Sequence, residues 1–343
     1  MERSLLRVER VFEGVLRRTP LRRIEMSLRG RAVGFGLKLE ECGTAGSVKT
    51  RTAVGLLSDL HHERPLVPGT VVVESTSGNL GLAMAQLLAG IGCGFLAVVD
   101  LKTPQATRQA LLEQGARLVV MDEPDEQGGY LVRRLEAVHR TLDEHPDYRW
   151  PNQYENPANP EAHRSSTGPE IAEQAGAELG AVYVPVSTGG TLAGIAAHLR
   201  AHRPDVSCVA VDVTGSAALG GAGGRRLIPG IGASRRSVFL RGGEYDHAVR
   251  VDDAEAMAVC RMVRDDLGLT VGGSTGCVLR ALLDDVIAGS VAGFPVCLAA
   301  DGGAKYADTI FSDGWAREQG IHAEIGAAVR RWRADGLSFR VSG

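Results

Sequence analysis

Lys49 is an unusual basic residue in this chain, because only four of the 38 basic side chains are lysine and the others are arginine. It lies in the run CGTAGSVKTR, residues 42–51, among small side chains. A lysine amine can lose its proton and form a Schiff base with an aldehyde, whereas the guanidinium of arginine stays charged. Lys49 is therefore a candidate nucleophile for a carbonyl group, and a solvated surface lysine is the alternative interpretation.

Three loops of glycine, serine and threonine each follow an apolar run and precede a helix-length segment. They read STSGN at 75–79, STGGT at 187–191 and GGSTG at 272–276. Such a loop exposes backbone N–H groups and the positive end of a helix dipole, which together bind phosphate. One such loop could be a simple tight turn, but three of them favour a phosphorylated ligand. A phosphate site combined with a reactive lysine suggests pyridoxal 5′-phosphate as the cofactor.

The third loop also permits a different interpretation, because GGSTG fits GxSxG, the nucleophile elbow of α/β-hydrolases. Asp301 and His322 follow Ser274 in the chain order that a Ser–Asp–His triad of that fold requires. A serine α/β-hydrolase that uses Ser274 is thus an alternative function. This alternative gives Lys49 and the loop STGGT no role.

Composition and spacing argue against several other classes of protein. A net charge of −3 does not favour nucleic-acid or anionic-membrane partners. His198 and His202 have the i, i+4 spacing of a metal pair but no third ligand accompanies them, so no metal site is predicted. Six cysteines without a CxxC pair, and an N-terminus without an apolar signal stretch, indicate a reduced, cytoplasmic protein.

Short β-branched runs alternate with helix-length amphipathic segments along the chain. Strands are predicted at 70–74, 95–100, 117–121, 181–186 and 208–213, and helices at 80–89, 104–114, 130–145 and 192–202. This alternation predicts an α/β fold with mainly parallel sheets covered by helices. The uncharged stretch 75–99 contains GIGCG, which favours a helix, a turn and a buried strand over a membrane span. The Pro- and Asn-rich segment 145–163 predicts a crossover between two domains.

Six motifs occur in order within residues 10–315, namely GSVKTR, ESTSGNLG, NQYENPANPEAH with TGPEI, STGGTLAG, PGIGAS and GGSTG. Together they resemble the cysteine synthase family of fold type II pyridoxal-phosphate enzymes, whose fold is similar to the tryptophan synthase β subunit. The resemblance implies a homodimer of two-domain subunits with the cofactor in the cleft. Residues 43–151 would form a small mobile domain that binds the substrate carboxylate, and residues 1–42 plus 152–343 a large cofactor-binding domain.

Further stretches, among them EPDEQGGYLVRR, VAVDVTGS and KYADTIFSDGW, are similar to one branch of this family. Enzymes of that branch join O-phospho-L-serine to L-glutamate at the start of 2,3-diaminopropionate formation for siderophores and antibiotics. The resemblance therefore implies these two amino acids as substrates. The loop STGGT has the cysteine-synthase form rather than the STTGS expected for the branch. A cysteine synthase that uses O-acetylserine or O-phosphoserine with sulfide is the alternative.

The resemblance also implies which residues hold the cofactor. Lys49 would carry it covalently and, once released, act as the general base. The cofactor phosphate would lie in the second loop, formed by Ser187, Thr188, Gly189, Gly190 and Thr191. Asn79 would hydrogen-bond the ring oxygen, and Ser274 would face the ring nitrogen. A neutral hydroxyl there, unlike a carboxylate, does not hold the ring nitrogen protonated, which favours β-elimination over transamination or racemisation.

Substrate-binding residues follow from the same resemblance. The amino-acid carboxylate would be held by the first loop and a neighbouring amide, namely Thr76, Ser77, Asn79 and Gln153. The charged groups of the two substrates would be recognised by three polar side chains, Arg134, Tyr154 and Ser187. For Arg134 the alternative interpretation is a solvated helix arginine.

Overall fold

Strand–loop–helix repeats run along the chain, as the sequence predicts. The computed structural model describes residues 2–124 and 129–342, so residues 125–128 of the EPDEQGGYL stretch lie outside the described residues. The helices are α1 (Glu2–Val15), α2 (Lys49–Glu63), α3 (Asn79–Gly90), α4 (Gln105–Glu113), α5 (Leu131–Glu144), α6 (Ala158–Arg164), α7 (Thr167–Ala175), α8 (Gly190–His202), α9 (Asp253–Leu267), α10 (Gly273–Ala288), α11 (Asp313–Glu318) and α12 (His322–Ala334). The strands are β1 (Leu21–Leu28), β2 (Arg31–Leu39), β3 (Val71–Ser75), β4 (Gly94–Asp100), β5 (Arg117–Met121), β6 (Leu179–Pro185), β7 (Ser207–Val213), β8 (His247–Val251), β9 (Phe294–Ala299) and β10 (Ser338–Val341).

The first of two structural units comprises Met1–Arg18 and Gly43–Ala162. Its sheet has three parallel strands in the order β3-β4-β5. Alternate side chains of these strands enter two apolar clusters, one shared with α2 and α3 and the other with α5. Burial on both faces is typical of parallel strands, whose connections are helices. The carboxyl ends of β3 and β4 lie at one edge of this sheet, where the loop 75–79 begins.

The second unit comprises Thr19–Cys42 and His163–Gly343. Its seven-stranded sheet has the order β10-β1-β2-β9-β6-β7-β8. The five neighbouring strands β2, β9, β6, β7 and β8 pair in parallel. Strand β1 pairs antiparallel with β2 on one side and with β10 on the other. The predicted α/β class with mainly parallel sheets is confirmed. The loop 187–191 lies between β6 and α8, and the loop 272–276 begins α10.

The antiparallel hairpin of β1 and β2 was not among the predicted elements. Arg29 and Gly30 at its turn have φ angles of 50° and 75°, the conformation of a two-residue turn that matches the twist of a hairpin. Ile24, Met26 and Leu28 alternate with more exposed residues and are buried in the core of the second unit. That alternation is the sequence signal that could have identified β1.

The two units divide the chain at different places from the predicted domains. Residues 1–18 group with the first unit, to whose core α1 contributes Val8 and Phe12, and the first unit ends at Ala162 rather than at 151. The mobility of one domain, and the division of substrate and cofactor roles between the two, stay predictions.

The stretch 75–99 is divided as the sequence predicts. It contains the end of β3, a loop, helix α3, a turn at Gly92 with a φ of 75°, and most of β4. None of the helices that the structure describes combines the length and the apolar character needed to cross a bilayer.

Candidate active site

Lys49 is the first residue of α2, and its neighbours Val48 and Thr50 are 5% and 3% exposed. The side chain of Lys49 is itself partly buried. Burial lowers the pKa of Lys49 to about 8, while the negative charge of Glu74 opposes the shift. A larger fraction of this amine is therefore neutral near pH 7 than of an ordinary lysine, and the neutral amine is the form that attacks an aldehyde.

Glu74 is a buried carboxylate of β3 that the sequence analysis did not select. It is fully buried, and its oxygens accept hydrogen bonds from the Ser75 N–H at 2.8 Å, the Gln153 N–H at 3.0 Å and the Trp150 Nε1–H at 3.2 Å. Burial raises the pKa of Glu74 to about 7, against the effect of these hydrogen bonds. The signal in the sequence was a glutamate directly after three valines in the strand VVVES.

Loop 75–79 is fixed at the edge of the three-stranded sheet. The Thr76 N–H donates to Val98 O at 3.0 Å, and Ser77 is exposed. Asn79 begins α3 directly after Gly78, and glycine at the cap position has no side chain to bond the first turn. The N–H groups of the first turn, together with the side chains of Ser77 and Asn79, form a set of donors suited to a carboxylate.

Gln153 contacts this loop from a segment far along the chain. The side-chain Nε2 of Gln153 donates to the backbone carbonyl of Ser75 at 2.8 Å, and the backbone carbonyl of Gln153 accepts from Asn159 Nδ2 at 2.7 Å. Gln153 is 5% exposed. Tyr154 follows it and is partly buried. Of these two candidate residues, Gln153 is thus held directly against the loop 75–79.

Arg134 is a buried cation of α5 rather than a solvated helix arginine. Its side chain is 10% exposed, and its Nε lies 3.2 Å from Oδ2 of Asp100 at the end of β4. Within the described residues neither Nε nor Nη1 makes a hydrogen bond. Buried guanidinium donors without acceptors are costly, and a bound anion would satisfy them. Arg134 is therefore suited to recognise a charged group of a substrate.

Loop 187–191 has the backbone of an anion site in the second unit. Gly189 has a φ of 91°, a region that glycine occupies readily, and an added Cβ would lie 2.1 Å from Ser237 Oγ. Thr188 and Thr191 are 8% and 9% exposed. Gly189 has no side chain to cap α8, so it does not compete with a ligand for the N–H groups of the first turn. This is the arrangement that binds phosphate at a helix N-terminus.

The segment 228–237, which contains the PGIGAS motif, holds this loop in place. Gly232 O accepts from Ser187 Oγ at 3.2 Å, and Ser237 Oγ donates to Thr188 O at 2.6 Å. The two contacts fasten the start and the middle of the loop. They give a structural role to a motif that the sequence analysis noted only as part of a resemblance.

Ser274 lies in the first turn of α10 and is 3% exposed. The Gly272 N–H donates to Asp301 O at 3.1 Å, and an added Cβ at Gly272 would lie 1.8 Å from Asp301 Oδ1. Ile228 packs against Gly273, where an added Cβ would lie 2.5 Å from Ile228 Cγ2. Close packing on both glycines therefore fixes the turn that carries the Ser274 hydroxyl.

The groups of the alternative hydrolase triad have other partners. Asp301 Oδ2 accepts from the Tyr306 hydroxyl at 2.7 Å and pairs with Lys305 Nζ at 2.7 Å. His322 lies at the start of α12, 3.7 Å from Asp313 Oδ1. The contacts of Asp301 with Tyr306 and Lys305, and of His322 with Asp313, thus give each residue a neighbour outside the proposed triad.

His163 is a second residue that the sequence analysis missed. It is fully buried near the end of α6, and its Nε2 lies 3.2 Å from Thr191 Oγ1 in the loop 187–191. The signal in the sequence was the histidine that ends the motif NQYENPANPEAH.

Each structural unit, taken by itself, contains groups whose chemistry suits one part of pyridoxal phosphate. Lys49 offers an amine of lowered pKa for the aldehyde. Loop 187–191 offers the backbone N–H groups of a helix N-terminus and two buried threonine side chains for the phosphate. Ser274 offers a hydroxyl for the ring nitrogen.

Comparison with known proteins gives concordant matches. A family model for pyridoxal-phosphate dependent enzymes matches residues 13–301. The chain is 38% identical to N-(2-amino-2-carboxyethyl)-L-glutamate synthase of Ralstonia nicotianae, and the match covers 87% of this chain and 88% of that protein. It is also 38% identical to the enzyme of the same name from Cupriavidus metallidurans, where the match covers 81% of this chain and 82% of that protein. The solved structure of O-ureido-L-serine synthase is 26% identical, with a TM-score of 0.79 over 90% of this chain and 98% of that one. The chain therefore belongs to the pyridoxal-phosphate dependent enzyme family.

Proposed function

We propose that the protein replaces the phosphate of O-phospho-L-serine by the amine of L-glutamate. The products are N-(2-amino-2-carboxyethyl)-L-glutamate and phosphate, the first step toward L-2,3-diaminopropionate. The observation that carries this proposal is the 38% identity, over most of both chains, to two relatives named for this product. The buried cation Arg134 supports it, because the first substrate carries a dianionic phosphate.

Pyridoxal phosphate, when bound, withdraws electrons from the α-carbon of an amino acid attached to it. Lys49 would hold the cofactor and be released when the substrate amine binds. Its Nζ would then remove the α-proton while phosphate leaves the β-carbon, and return the proton after the new C–N bond forms. A pKa of about 8 suits an amine that has to accept and give up a proton near neutral pH.

The substrate carboxylate would bind at the start of α3. Thr76, Ser77 and Asn79 supply hydroxyl and amide donors there, and the helix dipole favours a negative charge. Gln153, fastened to Ser75 O and Glu74, would keep this loop in one conformation. Asn79 would also donate to the cofactor's ring oxygen.

The phosphate group of the substrate would be recognised by Arg134, Tyr154 and Ser187. The cofactor phosphate would occupy the loop 187–191, with the first-turn N–H groups of α8 and the threonine hydroxyls as donors. Ser274 would face the ring nitrogen, and its neutral hydroxyl would leave that nitrogen unprotonated, which favours loss of a β-substituent.

The test is to incubate the enzyme with O-phospho-L-serine and each of the twenty amino acids, and to identify the products by mass spectrometry. We expect N-(2-amino-2-carboxyethyl)-L-glutamate and one phosphate per product formed with L-glutamate. Consumption of sulfide but not of L-glutamate would contradict the proposal. Lys49→Ala should abolish both the visible absorbance of the bound cofactor and product formation.

A cysteine synthase is the second candidate function, and one observation favours it. The loop 187–191 reads STGGT, the form expected of cysteine synthases. The same incubation with sulfide separates the two candidates, since S-containing and N-containing products differ in mass.

We also propose a cytoplasmic homodimer, as the family resemblance suggests. Light scattering should give twice the chain mass of 36.3 kDa. A monomer at working concentration would contradict this.

A further inference from the structure

His163 occupies a position where both ring nitrogens meet hydroxyl groups. Its Nδ1 lies 2.9 Å from Thr167 Oγ1, and its Nε2 lies 3.2 Å from Thr191 Oγ1. His163 and Thr167 are fully buried, and Thr191 is 9% exposed. Polar groups buried to this extent are retained only when they are hydrogen-bonded, so the three side chains form one connected set.

We propose that His163 is a positioning residue that directs the Thr191 hydroxyl proton toward the cofactor phosphate. This inference rests on the proposed assignment of loop 187–191 to that phosphate. His163 acts through Thr191 and does not itself touch the reacting atoms.

The direction of the hydrogen bonds follows from the chemistry of the groups. A phosphate dianion only accepts hydrogen bonds, so Thr191 has to donate its single hydroxyl proton to it. Thr191 Oγ1 then has to accept from His163, which requires the proton of the neutral imidazole to be on Nε2. Nδ1 is left as the acceptor for the Thr167 hydroxyl. Thr167 therefore donates to His163, His163 donates to Thr191, and Thr191 donates to the phosphate, which is the final acceptor.

The positions of the three residues in the chain explain why this arrangement is fixed. His163 lies near the end of α6 and Thr167 begins α7, while Thr191 is the second residue of α8. All three side chains therefore start from regular helical backbone. With the ring proton on Nδ1 instead, both hydrogen bonds would run in the opposite direction, and Thr191 would donate its proton to His163 rather than to the phosphate. The tautomer with the proton on Nε2 therefore keeps the Thr191 proton directed at the phosphate.

The tautomer of His163 can be read directly in the holoenzyme. Long-range 1H–15N correlation of a histidine-labelled sample, with the His163 signals assigned by their absence in His163→Asn, should show the proton on Nε2. A proton on Nδ1 would overturn the inference, whatever the activity of the enzyme.

Phosphorus NMR of the bound cofactor tests the effect on the phosphate. We expect the 31P shift to change in His163→Asn and in Thr167→Val, and the cofactor dissociation constant to rise roughly three- to tenfold, as loss of one buried hydrogen bond predicts. His202→Asn, at the exposed end of α8, is the matched control and should keep the wild-type shift. Thr167→Val leaves His163 in place, so it also serves if His163→Asn does not fold.

Thr191→Val separates this inference from the proposed site. If Thr191→Val changes the 31P shift while His163→Asn and Thr167→Val keep the wild-type shift and affinity, His163 does not position Thr191 and the inference is wrong. If none of the three changes the shift, the loop 187–191 does not hold the phosphate, and the site assignment fails together with the inference. Neither result depends on whether L-glutamate or sulfide is the second substrate.

Discussion

At the scale of single residues, the protonation of Lys49 is set by its surroundings in the first unit. Burial disfavours its charged form, and the Glu74 carboxylate partly restores it. Glu74 is itself held in place by three hydrogen bonds. The reactivity of the lysine is therefore tied to a carboxylate that lies 25 positions further along the chain.

Cofactor uptake by the cofactor-free enzyme should depend on pH through Lys49. The neutral amine reacts with the aldehyde, so the rate should rise with pH and level off above about 8 rather than near 10.5. Stopped-flow absorbance after mixing with pyridoxal phosphate measures this rate. A rise that continues to pH 10 would show an unperturbed lysine.

Glu74→Gln should shift this pH profile to lower pH. Removal of the negative charge removes the interaction that raises the pKa of Lys49, so the neutral amine appears at lower pH. Asp59→Asn is the matched control, because Asp59 is an exposed carboxylate of α2. An unchanged midpoint in Glu74→Gln would contradict the coupling.

Arg134→Met should weaken the use of O-phospho-L-serine. The expected loss in kcat/KM is about 10- to 100-fold, the effect of removing one or two charge-assisted hydrogen bonds worth ~1.5–3 kcal/mol in total. Arg133→Met is the control, since Arg133 is half-exposed and pairs with Glu136. A substrate without the phosphate, O-acetyl-L-serine, should be affected much less by Arg134→Met. Equal losses with both substrates would assign Arg134 a purely structural role.

At the scale of elements, the second unit shows how loops of small residues become defined sites. Loop 187–191 starts α8, and the segment 228–237 fastens two of its residues by hydrogen bonds. Two features require a glycine at position 189, namely its positive φ and the closeness of Ser237, which leaves no room for a Cβ. The loop is thus held in one conformation before any ligand binds.

Gly189→Ala should destabilise the protein and weaken cofactor binding. A positive φ in a residue with a side chain, together with a Cβ 2.1 Å from Ser237 Oγ, should cost about 1–3 kcal/mol of unfolding free energy. Gly326→Ala in α12 is the control, because its nearest contact is the flexible end of Arg330 and alanine favours helix by up to ~1 kcal/mol. Urea unfolding measures both. Equal stability of the two variants would show that the loop tolerates a side chain.

Prediction from sequence was most successful for elements with strong local patterns. The helices and parallel strands around the loops 75–79 and 187–191 were predicted within a few residues, because β-branched runs and amphipathic periods are local signals. The loop 272–276 instead follows α9, with no strand between the two in the described residues. The hairpin of β1 and β2 was missed although Ile24, Met26 and Leu28 alternate, and the place of α1 in the first unit was missed as well. Both depend on which distant surface an element packs against.

At the scale of the whole molecule, the family match confirms the predicted enzyme class and its pyridoxal-phosphate dependence. The six cysteines, all within the described part of the chain, are free thiols. Five of them are buried, and burial raises the pKa of their thiols, to about 11 for Cys93 and Cys208 and about 12 for Cys260. Four of them are 0% exposed and Cys93 is 8% exposed, so a reagent in solution has little access to these thiols.

A chromogenic thiol reagent should therefore modify one cysteine quickly in the native protein, and six after unfolding. The fast site is Cys42, which is exposed, and Cys42→Ser should remove the fast phase. Its reaction should still be slower than that of a free thiol, because partial burial and the carboxylates of Glu41 and Glu40 raise its pKa. Rapid modification of more than one thiol before unfolding would show that a second cysteine is accessible.

The sequence by itself determined the fold class and the cofactor and indicated Lys49 as the candidate residue that binds it, because these follow from local patterns and from an unusual residue type in a small-residue loop. Only the tertiary structure decided that Glu74 adjusts the charge of Lys49, that Arg134 is a buried cation beside Asp100, and that His163 lies between two threonines. The physical reason is that pKa values and hydrogen-bond partners depend on burial and on distances between residues far apart in the chain. No local pattern encodes those distances.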